Sequence, residues 1–116
     1  MQYRLDLRRE DIAPDDVVAL NGELVLVDVR DTDEFEAGHA PGANPISMDA
    51  IDDGWCGTDG RLPFVVVCRT GERARHAARL LRDSGRDAFA LRGGMLAWAA
   101  DDQALVTNSG TGPQVL

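Results

Sequence analysis

The chemistry open to this chain is concentrated around one thiol. Cys68 directly follows the apolar run Phe64-Val65-Val66-Val67 and heads the stretch Cys68-Arg69-Thr70-Gly71-Glu72-Arg73, with a helical pattern beginning at about Glu72. The residues between must be the turn that joins a buried strand to a helix. Such a turn aims several unpaired backbone N–H groups into its own hollow, backed by the positive end of the helix dipole. A sulfur anion is stabilised in that hollow, and Arg69 and Arg73 bring further positive charge within reach. Gly71 supplies backbone angles that a tight cradle of amides requires. The competing reading is that Cys68 packs as a small hydrophobe, as free cysteines often do. Two arginines in so short a turn suit an anion-binding nucleophile better than an inert core thiol.

The other chemically capable residues invite plainer readings. Asp28 and Arg30 lie at the end of a second apolar run, and a charge pair that orders the strand end accounts for them better than catalysis. His39 in a Gly-Pro loop, His76 in a basic helix and Cys56 lack chelating spacing, so no metal site is expected. Asp49, Asp52, Asp53 and Asp59 lack the alternation and closing glutamate of a calcium loop and read as a solvated acidic loop. Cys56, between Trp55 and Gly57, reads as a spectator thiol, with a resolving role or a disulfide to Cys68 left open. Arg75, Arg79, Arg82 and Arg86 form one helical stripe, most simply a wet face, while Met95, Leu96 and Trp98 read as core.

Positioning Cys68 falls to short apolar runs alternating with amphipathic stretches. Leu24 to Val27 and Phe64 to Val67 do not alternate in polarity, as expected for strands buried on both faces of a parallel sheet. Asp87 to Leu91 is a third strand candidate, and Tyr3 to Leu7 and Pro45 to Ser47 are candidate short outer strands. Helices are predicted from Pro14 to a stop at Asn21-Gly22, from Thr32 to Gly38, from about Glu72 to Ser84 with Gly85 as a left-handed cap, and from about Met95 to Ala100. The alternation implies an α/β fold, a parallel sheet with helices on both faces. Residues 1–106 make one domain, and 107–116, rich in Gly, Ser, Thr and Asn, reads as a flexible tail.

With 116 residues there is room for one domain, and 44% hydrophobic against 28% charged residues marks a globular chain. All 12 basic residues are arginine, and 20 acidic residues leave a net charge of −8. That field repels phosphate backbones and anionic bilayers, so neither nucleic acid nor a membrane is an expected partner. Charges mixed into the first residues argue against a leader peptide, which together with free thiols predicts a cytoplasmic location.

Several motifs together carry a family resemblance. Asp28-Val29-Arg30, Glu34-Phe35, Gly38-His39-Ala40-Pro41-Gly42-Ala43 and Ile46 resemble the first signature of the rhodanese (sulfurtransferase) domain. Cys68 to Arg73 resembles its active-site loop, and Gly93-Gly94-Met95-Leu96-Ala97-Trp98 its C-terminal signature. Pro45, Ser47 and Ala74 depart from the family pattern. The resemblance implies a rhodanese-like three-layer fold with a five-stranded sheet, a catalytic Cys68 carrying a persulfide, substrate contacts from Arg69, Thr70, Gly71, Glu72 and Arg73, support from Asp28 and Arg30, and no cofactor. Its expected partners are a small anionic sulfur donor such as thiosulfate and a thiol, cyanide or protein acceptor. Two alternatives remain: a phosphatase or arsenate reductase of the same fold, and a non-enzymatic module that docks partners or senses persulfide. The phosphatase-type loops resemble a cysteine, five residues and an arginine, whereas four residues separate Cys68 from Arg73.

Overall fold

The computed structural model describes residues 5–20, 22–57, 60–110 and 112–116. Along the chain run β1 (Asp11–Ile12), α1 (Pro14–Ala19), β2 (Val25–Asp28), α2 (Thr32–Ala37), β3 (Asn44–Pro45), α3 (Met48–Asp52), β4 (Phe64–Val67), α4 (Glu72–Asp83), β5 (Ala88–Leu91) and α5 (Gly94–Ala100). The five strands form one parallel sheet in the order β1-β5-β4-β2-β3. The expected α/β architecture is therefore present, and β4 lies in the middle of the sheet. Every residue of β4 is buried, which is why Phe64-Val65-Val66-Val67 shows no polar alternation.

The alternation that is hidden in polarity reappears in packing. Phe64, Val66 and Cys68 belong to one core with Val27, Val29, Ala88, Ala90 and helix α4, whereas Val65 and Val67 join Leu26, Phe89, Leu91 and helices α1 and α5 on the other face. Alanines line both sides of the α4 contact, Ala74, Ala77 and Ala78 from the helix and Ala88 and Ala90 from the sheet. Small side chains let the helix lie close to the strands, and the start of α4 is thereby held just beyond the end of β4. Gly85, with φ +91°, ends that helix in the left-handed region as its position predicts.

Several local expectations are corrected. No strand runs through Leu5 to Leu7, while Tyr3 and Arg4 lie outside the described residues; the edge strand is Asp11–Ile12. Two carbonyls suffice to pair it, Glu10 and Ile12 accepting from the amides of Ala90 and Arg92, and so short a segment has no readable periodicity. The acidic stretch after Ser47 is not a loop. Ser47 caps helix α3, its Oγ accepting from the Ala50 amide at 3.1 Å, so Asp49 and Asp52 are helical and Asp53 is the C-cap. Asp59 and the proposed stop residue Asn21 fall outside the described residues. Helix α2 starts at Thr32 as predicted and is capped by Asp31, whose amide donates to Glu34 Oε1 at 3.1 Å in a capping box.

Half of the arginine stripe is also drier than expected. Arg86 lies over the Phe64 ring at 4.3 Å and donates to the Cys56 carbonyl, while Arg82 lies over Phe89 and donates to the Ala88 carbonyl. The long stems and planar heads cover aromatic surface. Leu96, expected in the core, is 39% exposed, because Met95 and Trp98 take the inward positions of α5.

Candidate active site

Cys68 sits at the C-terminal end of the central strand, where open α/β sheets place their ligand sites. It is 1% exposed and packs with the α4 core, so the thiol is a buried residue and not an exposed turn residue as the loop position suggests. The reason is the period of two along β4, which turns residue 68 to the same side as Val66 and Phe64. The chain then doubles back over the sulfur. Gly71 adopts φ +112° and ψ −16°, and its amide donates to Cys68 Sγ at 3.0 Å. A side chain at residue 71 would strain that left-handed turn. Behind Gly71, the first-turn amides of α4 have no partner within the helix.

A second element holds the loop from outside. The Met95 amide donates to the Cys68 carbonyl at 2.8 Å and the Leu96 amide to the Arg69 carbonyl at 3.1 Å. Gly94 makes this approach possible, since a Cβ there would come within 2.6 Å of the Cys68 carbonyl oxygen and closer still to Arg69. The first turn of α5 thus fixes the carbonyls of Cys68 and Arg69, while the Gly71 amide is directed at the sulfur. The role of Gly94, Met95 and Leu96 is not apparent from their chemistry. The adjacent glycines directly after a strand were the available signal.

The charged residues of the loop are less committed. Arg73 faces Glu34 with its Nη2 3.8 Å from Oε1, a loose contact with the arginine side chain 41% exposed. Arg73 also borders a shallow cavity of about 360 Å³ shared with Val29, Arg30, Thr32, Ser47 and Met48. Arg69 is exposed and its Nε donates to the backbone oxygen of Leu116 at 2.9 Å. Thr70 and Glu72 are exposed at the rim, Glu72 in the first turn of α4.

Asp28 and Arg30 lie behind the site as a structural pair. Both side chains are wholly buried, with Arg30 Nη2 2.8 Å from Asp28 Oδ2 and a further bond from the same Nη2 to the Gly38 carbonyl at 2.8 Å. The Arg30 amide donates to Asp28 Oδ1, and the neighbouring Val29 amide donates to the Val67 carbonyl, the residue before Cys68. The pair thus fixes the end of β2, which in turn registers the end of β4. Arg30 Nη1 has no partner among the described residues.

Cys56 is a free, half-buried thiol and is not bonded to Cys68. Its carbonyl is held by Arg86 and the next residue, Gly57, lies against the Phe64 ring at the start of β4. His39 stacks on Phe35 with centroids 3.8 Å apart and its Nδ1 bonds the Phe35 carbonyl, while His76 lies at the surface 3.4 Å from Asp52. Among the described residues no three His, Cys, Asp or Glu side chains converge as a metal-ligand set, and no helix is long and apolar enough to cross a membrane. A cavity of about 510 Å³ between α1, β2 and Trp98 does not include the Cys68 loop.

Comparison with known proteins agrees with this geometry. A segment of the chain is 40% identical over 79 residues to an HTH-type transcriptional regulator of Mycobacterium tuberculosis, matching 66% of this chain and 35% of that protein. It is 32% identical to the thiosulfate sulfurtransferase GlpE of Pseudoalteromonas translucida, over 67% of this chain and 75% of that one. A solved structure of a rhodanese-like domain protein from Staphylococcus aureus superposes with a TM-score of 0.74 at 30% identity, covering 85% of this chain and 98% of the other. The family model for the rhodanese-like domain matches residues 13–101, from the start of α1 to the end of α5, and the chain belongs to that family.

Proposed function

We propose that the protein transfers a sulfane sulfur from thiosulfate or a related anionic donor to a thiophilic acceptor through a persulfide on Cys68. The observation that carries this reading is the amide of Gly71 directed at Cys68 Sγ at 3.0 Å within a loop that closes from Cys68 to Arg73. The Cys68 thiolate attacks the outer sulfur of thiosulfate; the new sulfur–sulfur bond forms as the donor's own breaks, and sulfite leaves with the electron pair. The added sulfur extends about 2 Å beyond Sγ, into the hollow of loop amides, where its negative charge is stabilised by fixed dipoles. Cyanide or a thiolate then attacks that outer sulfur, departs as thiocyanate or a persulfide, and returns Cys68 as thiolate. Arg69 and Arg73 draw the dianion in against a net charge of −8. Similarity to GlpE, named as a thiosulfate sulfurtransferase, supports the donor class.

A persulfide-sensing module is the second reading, favoured by the similarity to a transcriptional regulator. The deciding experiment is the intact mass of the protein after thiosulfate treatment followed by cyanide. Sulfur transfer predicts the gain of one sulfur atom, absent in Cys68→Ser, that cyanide removes with stoichiometric thiocyanate over many turnovers. A persulfide that forms once and is not turned over by any thiophile leaves the sensor.

A further inference from the structure

Gly38 is a glycine without a conformational reason. Its φ of 170° and ψ of 130° are extended backbone open to any residue, yet a Cβ there would collide with the backbone of Gln114, 2.7 Å from the nitrogen and nearer still to the oxygen. Three further contacts lay the same segment along the body. The Gln114 amide donates to the Ala37 carbonyl at 2.9 Å, Val115 packs against the core of α1 and α5, and the Leu116 oxygen accepts from Arg69 Nε at 2.9 Å. Upstream, Val106 and His39 exchange both backbone hydrogen bonds, so the run from α5 to this segment is tied at its beginning too.

We propose that residues 114–116 form a strap that competes with the anionic donor for the active-site loop. The Leu116 oxygen occupies the Nε–H of Arg69, one of the two guanidinium groups that the sulfur-transfer reading assigns to the incoming dianion, and the inference rests on that reading for the identity of the anion. While the strap is seated, Arg69 is turned toward Leu116 and its directional donor is satisfied. Displacing Leu116 frees the donor for a negatively charged substrate without changing the amide cradle at Cys68. The strap therefore sets the donor's apparent affinity and not the rate of the chemical step. One hydrogen bond from an exposed charged group corresponds to roughly three- to tenfold in binding.

The test compares the full chain with a chain lacking residues 114–116 and with Gly38→Ala, which crowds the strap from beneath. Each is treated with iodoacetate, an anion, and with iodoacetamide, which is neutral; in both, the Cys68 thiolate displaces iodide, and peptide mass separates Cys68 from Cys56. Removing the strap is expected to raise the iodoacetate-to-iodoacetamide rate ratio at Cys68 about three- to tenfold and to lower KM for thiosulfate by the same factor with kcat unchanged. A ratio that stays the same or falls in a variant that still melts cooperatively overturns the proposal, and either variant decides alone if the other does not fold. A raised ratio in proteins that make no thiocyanate leaves the strap in place and overturns the sulfur-transfer reading instead.

Discussion

Gly94 lies against the Cys68 to Arg69 peptide so closely that no side chain fits between them. The Cys68 loop is thus held on one side by its own strand and helix and on the other by the first turn of α5. Gly94→Ala combines a steric collision with backbone at a φ of +64° unfavourable to alanine. Thermal or urea unfolding should show a loss of about 2–4 kcal/mol. Gly22→Ala, at a similar φ but in open space, should cost only about 1 kcal/mol, and an equal loss in both would dismiss the close approach.

Burial of Cys68 alters what its substitution does. Cys68→Ser should abolish sulfur transfer, and because the residue packs with Val66 and Ala74 it should also lower stability by about 1–2 kcal/mol through a buried hydroxyl. Cys56→Ser should retain most activity. Loss of turnover in Cys56→Ser would require a two-thiol relay in place of a single nucleophile.

Arg73→Ala should separate binding from folding. Its contact with Glu34 is long and exposed, so stability should change by under about 0.5 kcal/mol. Loss of a charge-assisted bond to the donor should reduce kcat/KM for thiosulfate by roughly ten- to a hundredfold. Unchanged thiosulfate kinetics would assign Arg73 to the surface and leave the amide cradle acting alone.

The buried pair behind the site predicts an opposite pattern. Arg30→Met leaves the Asp28 carboxylate without its partner in a dry environment, and unfolding should show a loss of about 3–5 kcal/mol. Arg30→Met with Asp28→Asn together should recover part of that loss. A double variant no more stable than the single one would show that shape, and not charge, is what the pair supplies.

Asp11 gives the pH dependence. The hydrogen bond from Arg92, 2.9 Å away, holds its carboxyl below the ordinary value, aided by the charges of Arg92, Arg9 and Arg75 against partial burial. A depressed folded pKa stabilises the protein above the unfolded value and is lost as pH falls through the folded one, so the contribution fades below about pH 4. Both side chains are partly exposed, which limits it to about 0.5 kcal/mol. Asp11→Asn should flatten the acid limb of a stability curve by that amount; an unchanged limb would remove Asp11 from the account.

The sequence by itself determined the strands that bury both faces, the helix that follows Cys68 and the loop between them. The strands at Leu24 to Val27 and Phe64 to Val67 and the helix from about Glu72 to Ser84 could be read, to within a residue of their observed bounds, because continuous apolar runs and an alanine stripe at helical spacing are local patterns. Motif chemistry likewise marked Cys68, Gly71 and the arginines. Tertiary structure decided what each of these touches. The two-residue edge strand Asp11–Ile12 exists only because β5 offers it partners, and Arg82 and Arg86 left the wet face because Phe89 and Phe64 lie beneath them. Cys68 became buried through the register of β4 against its neighbours, and Gly38 and Gly94 became necessary through segments distant in sequence that pass over them. Local propensity reports the spacing of residues along one element, whereas close approach between elements is set by packing, which no single stretch of sequence contains.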